Sequence, residues 1–223
     1  MPLMQMAAAD YPAQLTVEPM TAERNRLTTG FRIILAIPHL FLVGGGLNGL
    51  GFSLRPGGSS GAQFLLSIFT AGILSSIAGI CAVISWFAIM FTGTHPKGLW
   101  DFELWVLRWQ TRVTSYVYLF RDEYPPFGEA EYPAAMNVEY PATPRDRLSV
   151  GLRIFYVIPH ALILAALGLA WTATTVIAWF AILFTGVYPP GLYDFGLKVF
   201  RWSTRVSAYI YLLRDEYPPF AFE

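Results

Sequence analysis

Polar and apolar positions alternate one for one over DYPAQLTVE at 10–18, where Ala13, Leu15 and Val17 are apolar and Gln14, Thr16 and Glu18 polar. That two-residue period predicts a short, half-exposed strand. It returns in EYPAAMNVEYP at 131–141, with Met136, Val138 and Tyr140 on one side. Prolines bound both stretches, which keeps each strand short or at a sheet edge; an extended linker is the alternative. Long uncharged runs follow. No charge lies between Arg32 and Arg55, none between Arg55 and Lys97, and none among the forty residues separating Arg153 from Asp194. Forty such residues hold two helices of roughly 18–20 residues, each about one bilayer thick. Spans are expected near 28–47, 63–92, 149–166 and 169–187, the last pair reversing at Leu167-Gly168-Leu169 or at Trp171-Thr172.

A third pattern closes each half. DFELWVLRWQTRVTSYVYLFRDEYPPF at 101–127 and DFGLKVFRWSTRVSAYIYLLRDEYPPF at 194–220 align without a gap and share RDEYPPF outright, so the chain is a tandem duplication. On a helical wheel Phe102, Trp105, Val106, Trp109, Val113 and Tyr116 form an apolar face, and Asp101, Arg108, Arg112 and Ser115 a polar one. Beside a span this predicts an amphipathic helix lying in the membrane interface, with an ordinary helix on a soluble core as the alternative.

The boundaries carry their own signals. Thr21 or Thr143 is placed to cap the incoming helix. In SWFAIMFTGTHPKGL at 85–99 and AWFAILFTGVYPPGL at 178–192, Gly93 and Gly186 suit left-handed C-caps and the following prolines prevent continuation. The first repeat, 1–130, carries an insertion of about 28 residues over 44–72 that the second, 131–223, lacks; its Gly, Ser and Pro mark a loop.

Hydrophobic residues at 55% and charged residues at only 13% support a bilayer setting. Fifteen basic and fifteen acidic residues cancel, and nothing global suggests a nucleic-acid partner. The lone Cys81 excludes an internal disulfide, and the first residues do not read as a cleaved signal peptide. With two spans per repeat, fourteen of the fifteen Lys and Arg fall on one side and only Arg55 opposite, which makes that side, with both termini, cytoplasmic. The fold class expected is therefore an all-α integral membrane protein. It has four transmembrane helices as two parallel two-span repeats, each followed by a cytoplasmic amphipathic helix, with possible short cytoplasmic strands. The axis relating the repeats should run along the membrane normal.

The words R-x5-PH, WFAxLxTGxxP and RDEYPPF, with the preceding YPA…VE element, together resemble a bacterial membrane-protein family catalogued as a domain of unknown function. The resemblance covers both halves. It implies a bacterial inner-membrane protein of paired two-span units and carries over no activity.

His39 and His160, each after a proline within a span, are ligand or proton candidates together with Arg32 and Arg153, seven residues earlier on nearly the same face. A structural role is the main expectation for the histidines, with proton or ligand handling and haem ligation as alternatives. Arg32 and Arg153 are expected to snorkel to phosphate. Arg108, Trp109, Arg112, Arg201, Trp202 and Arg205 are candidates for lipid or partner binding, with Tyr124, Phe127, Tyr217 and Phe220 of the YPPF runs as aromatic clamps. Asp122, Glu123, Asp215 and Glu216 read as salt-bridge partners of Arg121, Arg214 or the arginine-bearing helix. No catalytic or metal motif is visible, and no cofactor is expected. The function expected is a non-enzymatic accessory or scaffolding subunit of a membrane assembly, contacting lipids and other subunits. A small transporter or channel, or a haem-binding redox subunit, is the alternative.

Overall fold

The computed structural model describes residues 10–20, 23–44, 72–141 and 144–223. Asn25 opens helix α1 (Arg26–Val43), its side chain accepting from the Thr28 amide; Asp146 opens helix α4 (Arg147–Thr185), accepting from the Leu148 and Ser149 amides. These short polar side chains take the N-cap role assigned above to Thr21 or Thr143, both of which lie outside the described residues. Helix α2 (Ile73–Thr92) and α4 end as expected, at Gly93 and Gly186 in the left-handed region, with N–H groups bonded to the Ile89 and Ile182 carbonyls. Helices α3 (Lys97–Val117) and α5 (Pro190–Ile210) follow.

The expected hairpin in the second repeat is absent. Helix α4 runs unbroken for 39 residues through Leu167-Gly168-Leu169 and Trp171-Thr172, about 58 Å at 1.5 Å per residue. Leu167, Gly168 and Leu169 contain neither a proline nor a side chain able to cap a reversal, so hydrogen bonding simply continues. The first repeat shows the same limb cut in two. Gly72, at φ 82°, sits so close to Gly44 that a Cβ on it would fall 2.2 Å from the Gly44 nitrogen. The Val43 carbonyl, orphaned at the end of α1, accepts from Ser75 Oγ on α2 and from Gln110 Nε2 on α3, both at 2.8 Å. The insertion thus interrupts a helix that the second repeat keeps whole; most of it, 45–71, lies outside the described residues.

The two long limbs run antiparallel. The Arg24 amide bonds to the Gly186 carbonyl and the Arg145 amide to the Gly93 carbonyl; Trp179 Nε1 donates to the Thr29 carbonyl and Trp86 Nε1 to the Val150 carbonyl. Each limb begins where the other ends, so the twofold relation is perpendicular to the limbs, and the parallel arrangement of separate spans gives way to an antiparallel pair. Three described helices, α1, α2 and α4, are long and apolar enough to cross a membrane.

Both sequence-predicted strands form, and they pair with each other. Strand β1 (Ala13–Val17) runs antiparallel to β2 (Ala134–Val138), with Leu15 opposite Met136. Met136 packs with Leu104 and Leu107 of α3, and Leu15 with Val199 and Phe200 of α5. Each repeat therefore lends its strand to the other repeat's helix. On α3, Arg108 bonds to the Met136 carbonyl while Gln110 reaches Val43. Two residues apart, these point roughly 160° from one another, so the sheet and the limbs occupy opposite faces of α3.

This layering overturns the interfacial reading of the amphipathic helices. From Val106 to Tyr116 every residue except Arg108 is buried, and Trp109, Arg112, Trp202 and Arg205 are each only 5% exposed. The apolar face meets the limbs instead of lipid, and the arginine face meets the strand and loop instead of water. Most of the exposed apolar surface belongs to the limbs, Leu27, Phe31, Ile80 and Phe91 on one and Leu148, Phe155, Leu169 and Phe184 on the other, with Phe127, Phe220 and Phe222 exposed elsewhere.

Candidate functional site

Helices α3 and α5 end in turns whose buried Leu119 and Leu212 take positive φ, 67° and 59°. That conformation is unfavourable for a leucine and is held here by burial of its side chain. The turns present main-chain carbonyls, and arginines near the start of each limb collect them. Arg32 donates to the Tyr116 and Arg121 carbonyls, both at 2.9 Å, pairs with Asp122, and lies over the Tyr116 ring at 4.7 Å. Arg24 also reaches Asp122, at 3.4 Å. In the second repeat Arg153 donates to the Tyr209 carbonyl and pairs with Asp215, both at 2.7 Å, and Arg145 pairs with Asp215 at 2.8 Å. Arg32 and Arg153 are 1% and 4% exposed, so neither snorkels to a headgroup. Their partners are the acids of RDEYPPF some ninety and sixty residues away. The adjacent Glu123 and Glu216 pair locally with Arg121 and Arg214. Burial works against those two carboxylates, but the arginine hydrogen bonds prevail and hold both below their usual values.

The histidines sit in matching aromatic cages. Trp109 Nε1 donates to His39 Nδ1 and Trp202 Nε1 to His160 Nδ1, both at 3.1 Å. An indole nitrogen only donates, so Nδ1 is bare and each neutral ring carries its proton on Nε2. Phe127 stacks on His39 at 4.2 Å and Phe220 on His160 at 3.9 Å, with Tyr124 and Tyr217 each 4.9 Å away. The YPPF runs are thus clamps, as read from the sequence, and the histidine is what they close upon. Each cage is assembled within its own repeat, and with Nδ1 accepting from an indole and the proton on Nε2 neither ring offers iron a free lone pair, so the arrangement does not fit bis-histidine haem ligation.

The remaining arginines line up along the sheet side. Arg108 Nε donates to the Met136 carbonyl at 3.1 Å, Arg112 Nη1 to the Ala130 carbonyl at 3.1 Å, and Arg205 Nη2 to the Ala221 carbonyl at 2.6 Å; Arg201 stays half-buried. Arg108 and Arg112, with Glu18, Glu129, Glu131 and the outer edge of β2, border an open groove of about 760 Å³.

One cluster breaks the duplication. Glu103 of α3 is fully buried, its Oε1 accepting from Ser85 Oγ at 3.1 Å and its Oε2 3.5 Å from His95 Nε2. Burial, above all, pushes the Glu103 carboxyl up from its ordinary value, against the pull of His95, Ser85 and Arg145. At the equivalent positions the second repeat has Ala178, Tyr188 and Gly196. There Trp171 fills the space, stacked on Tyr118 at 3.9 Å and so close to Gly196 that a Cβ would fall 2.5 Å from its Nε1. The sequence reading passed over Ser85, His95 and Glu103. The signal was available in the gapless alignment, where a glutamate faces a glycine inside an otherwise matching frame.

No curated protein and no solved structure matches the chain. A family model does, at residues 62–128 and again at 147–221, one match in each repeat. On that double match the chain belongs to the family described as Domain of unknown function (DUF4389).

Proposed function

We propose that the chain is a scaffolding subunit of a membrane assembly, without chemistry of its own, held in the bilayer by the outer faces of its two long limbs. The observation that carries this reading is where the exposed apolar side chains lie. They run the whole length of both limbs, from Leu27 to Phe91 and from Leu148 to Phe184, opposite a sheet whose outward residues include Thr16, Ala135 and Asn137. A limb of about 58 Å standing upright would carry roughly 28 Å of itself beyond a 30 Å hydrocarbon layer, yet Leu27, Phe91, Leu148 and Phe184 at its ends are 71–78% exposed. Upright limbs would also put the arginine clusters 24–32 and 145–153 on opposite sides. Limbs embedded along their common face keep both clusters, both strands and both termini on one side, which the excess of basic residues makes cytoplasmic. The twofold axis then lies along the membrane normal. The groove beside Arg108, Arg112 and the β2 edge faces water and is where a partner chain docks.

Single cysteines at Leu27, Phe91, Leu169 and Asn137 in right-side-out and inverted vesicles test the embedding. Labels at Leu27 and Phe91 should respond from the same side, Asn137 from that side freely, and Leu169 from neither. If Leu27 and Phe91 respond from opposite sides, the limb crosses the membrane end to end. Purification in mild detergent tests the role: a stoichiometric second chain, cross-linked through a residue placed at Ala135, supports a scaffold. Solute flux through vesicles holding this chain alone would replace that reading with transport.

A further inference from the structure

We propose that His95 and Glu103 form a proton-binding site, taking one proton from water and holding it between the two side chains. The argument is one of hydrogen-bond polarity. His95 Nδ1 lies 3.2 Å from the Leu212 carbonyl, and a carbonyl only accepts, so Nδ1 carries a hydrogen. In a neutral imidazole the other nitrogen, Nε2, is then a bare acceptor. It faces Glu103 Oε2 at 3.5 Å, and an ionised carboxylate is an acceptor too. Two acceptors would confront each other, with the His95 side chain 1% and the Glu103 side chain 0% exposed. Neither atom has another hydrogen-bond partner among the described residues. One added proton resolves the conflict, whether it resides on Oε2 as a carboxylic acid or on Nε2 as an imidazolium. The net charge of the pair rises from minus one to zero as the proton enters.

The surroundings favour holding that proton and tie it to the fold. Oε1 is engaged by Ser85 of α2, and Cys81 of the same helix lies nearby. From the other repeat, Arg145 bonds the same Leu212 carbonyl that His95 uses and is itself paired with Asp215; Tyr211 faces Glu103 with its hydroxyl pushed up to about 12 by burial and then by that carboxylate. Arg145 is thus a cation acting on Glu103, and Asp215 offsets it. Tyr140 fastens the His95 carbonyl at 2.7 Å. The site spans the seam between the α2–α3 corner and the end of α5. Losing the proton therefore sets like against like at a joint between the repeats, which the second repeat avoids by placing Tyr188, Gly196 and Trp171 there.

The inference does not rest on the scaffolding role, and its test needs only the purified full chain in detergent. Burial holds the Glu103 proton on the folded chain beyond the ordinary glutamate range. Where the folded pair keeps a proton that the unfolded chain has released, stability falls as the pH rises, about tenfold in the folding constant per pH unit. Glu103→Gln supplies the missing donor permanently, its amide N–H reaching Nε2 and its oxygen accepting from Ser85. Equilibrium unfolding of wild type relative to this variant should show the tenfold slope; parallel profiles overturn the proposal. Infrared spectra of the wild type with isotope-labelled histidine, at neutral pH, give a reading that does not depend on the variant folding. A buried carboxylic acid band or an imidazolium band supports the shared proton, and an ionised carboxylate beside a neutral imidazole refutes it.

Discussion

Replacing Asp122 with Asn removes a charge and leaves the shape. Asp122 Oδ1 serves both Arg32 and Arg24, and Oδ2 accepts from the Asn25 amide at 2.9 Å. An asparagine has one acceptor for those donors and turns its own N–H groups on the other. The Asp122 side chain is 13% exposed and that of Arg32 only 1%, so solvent screens little of the change. Breaking a buried pair by removing one partner costs about 3–5 kcal/mol. Arg32 retains two carbonyls, which places the expected loss near the low end, about 3 kcal/mol, or roughly a hundredfold in the folding constant. The second repeat supplies the control. Asp215 is 24% exposed, so Asp215→Asn should lose less, about 2 kcal/mol. Equilibrium unfolding in mixed micelles measures both, and a cycle with Arg32→Met isolates the pairwise coupling. A loss below about 0.5 kcal/mol for Asp122→Asn, or a larger loss for Asp215→Asn, contradicts the buried-network account.

Three further expectations follow from the same geometry. Gly72→Ala should destabilise by about 2–4 kcal/mol, through positive φ and collision with Gly44, whereas Gly79→Ala, with open space around its Cβ position, should be neutral or stabilising by up to about 1 kcal/mol. Trp171→Ala should cost about 3–5 kcal/mol by emptying the space between Tyr118 and Gly196, read as a lower thermal midpoint with the membrane fraction unchanged. Because the folded Glu123 and Glu216 carboxyls are depressed, their contribution is present above the unfolded glutamate value and is lost as the pH falls through the folded one; Glu216→Gln should flatten that acid limb, and an unaltered limb would count against the Arg214 pairing.

Local periodicity carried much of this fold. The alternation around Leu15 and Met136 and the glycine stops at Gly93 and Gly186 are read within a few residues of sequence, the duplicated frame from a gapless alignment, and the structure keeps them. What depended on distant partners was harder to see. An uncharged run from Arg153 to Asp194 has the same composition whether it folds back at Gly168 or continues through it. The wheel of Trp109 and Arg112 is equally two-faced between lipid and water or between a limb and a strand. Arg32 looked bound for phosphate because its acid, Asp122, lies ninety residues on. The aromatic clamp was legible in Tyr-Pro-Pro-Phe, but its object, His39 or His160, was not. Glu103 and His95 were hidden by the strength of the repeat itself, since attention to what two copies share passes over what only one contains.

The exchange of strands has a consequence for assembly and for synthesis. Leu15 completes the core of the second copy and Met136 that of the first, so neither copy is a finished domain. A chain holding a single copy would close only as a homodimer in which each subunit donates its strand and lays its limb antiparallel to its twin's, and the tandem repeat makes that exchange within one chain. On the ribosome the first copy must wait, its helix α3 uncovered, until the second copy's strand and limb have been made. Two half-chains synthesised separately in one cell should therefore find each other and rebuild the whole.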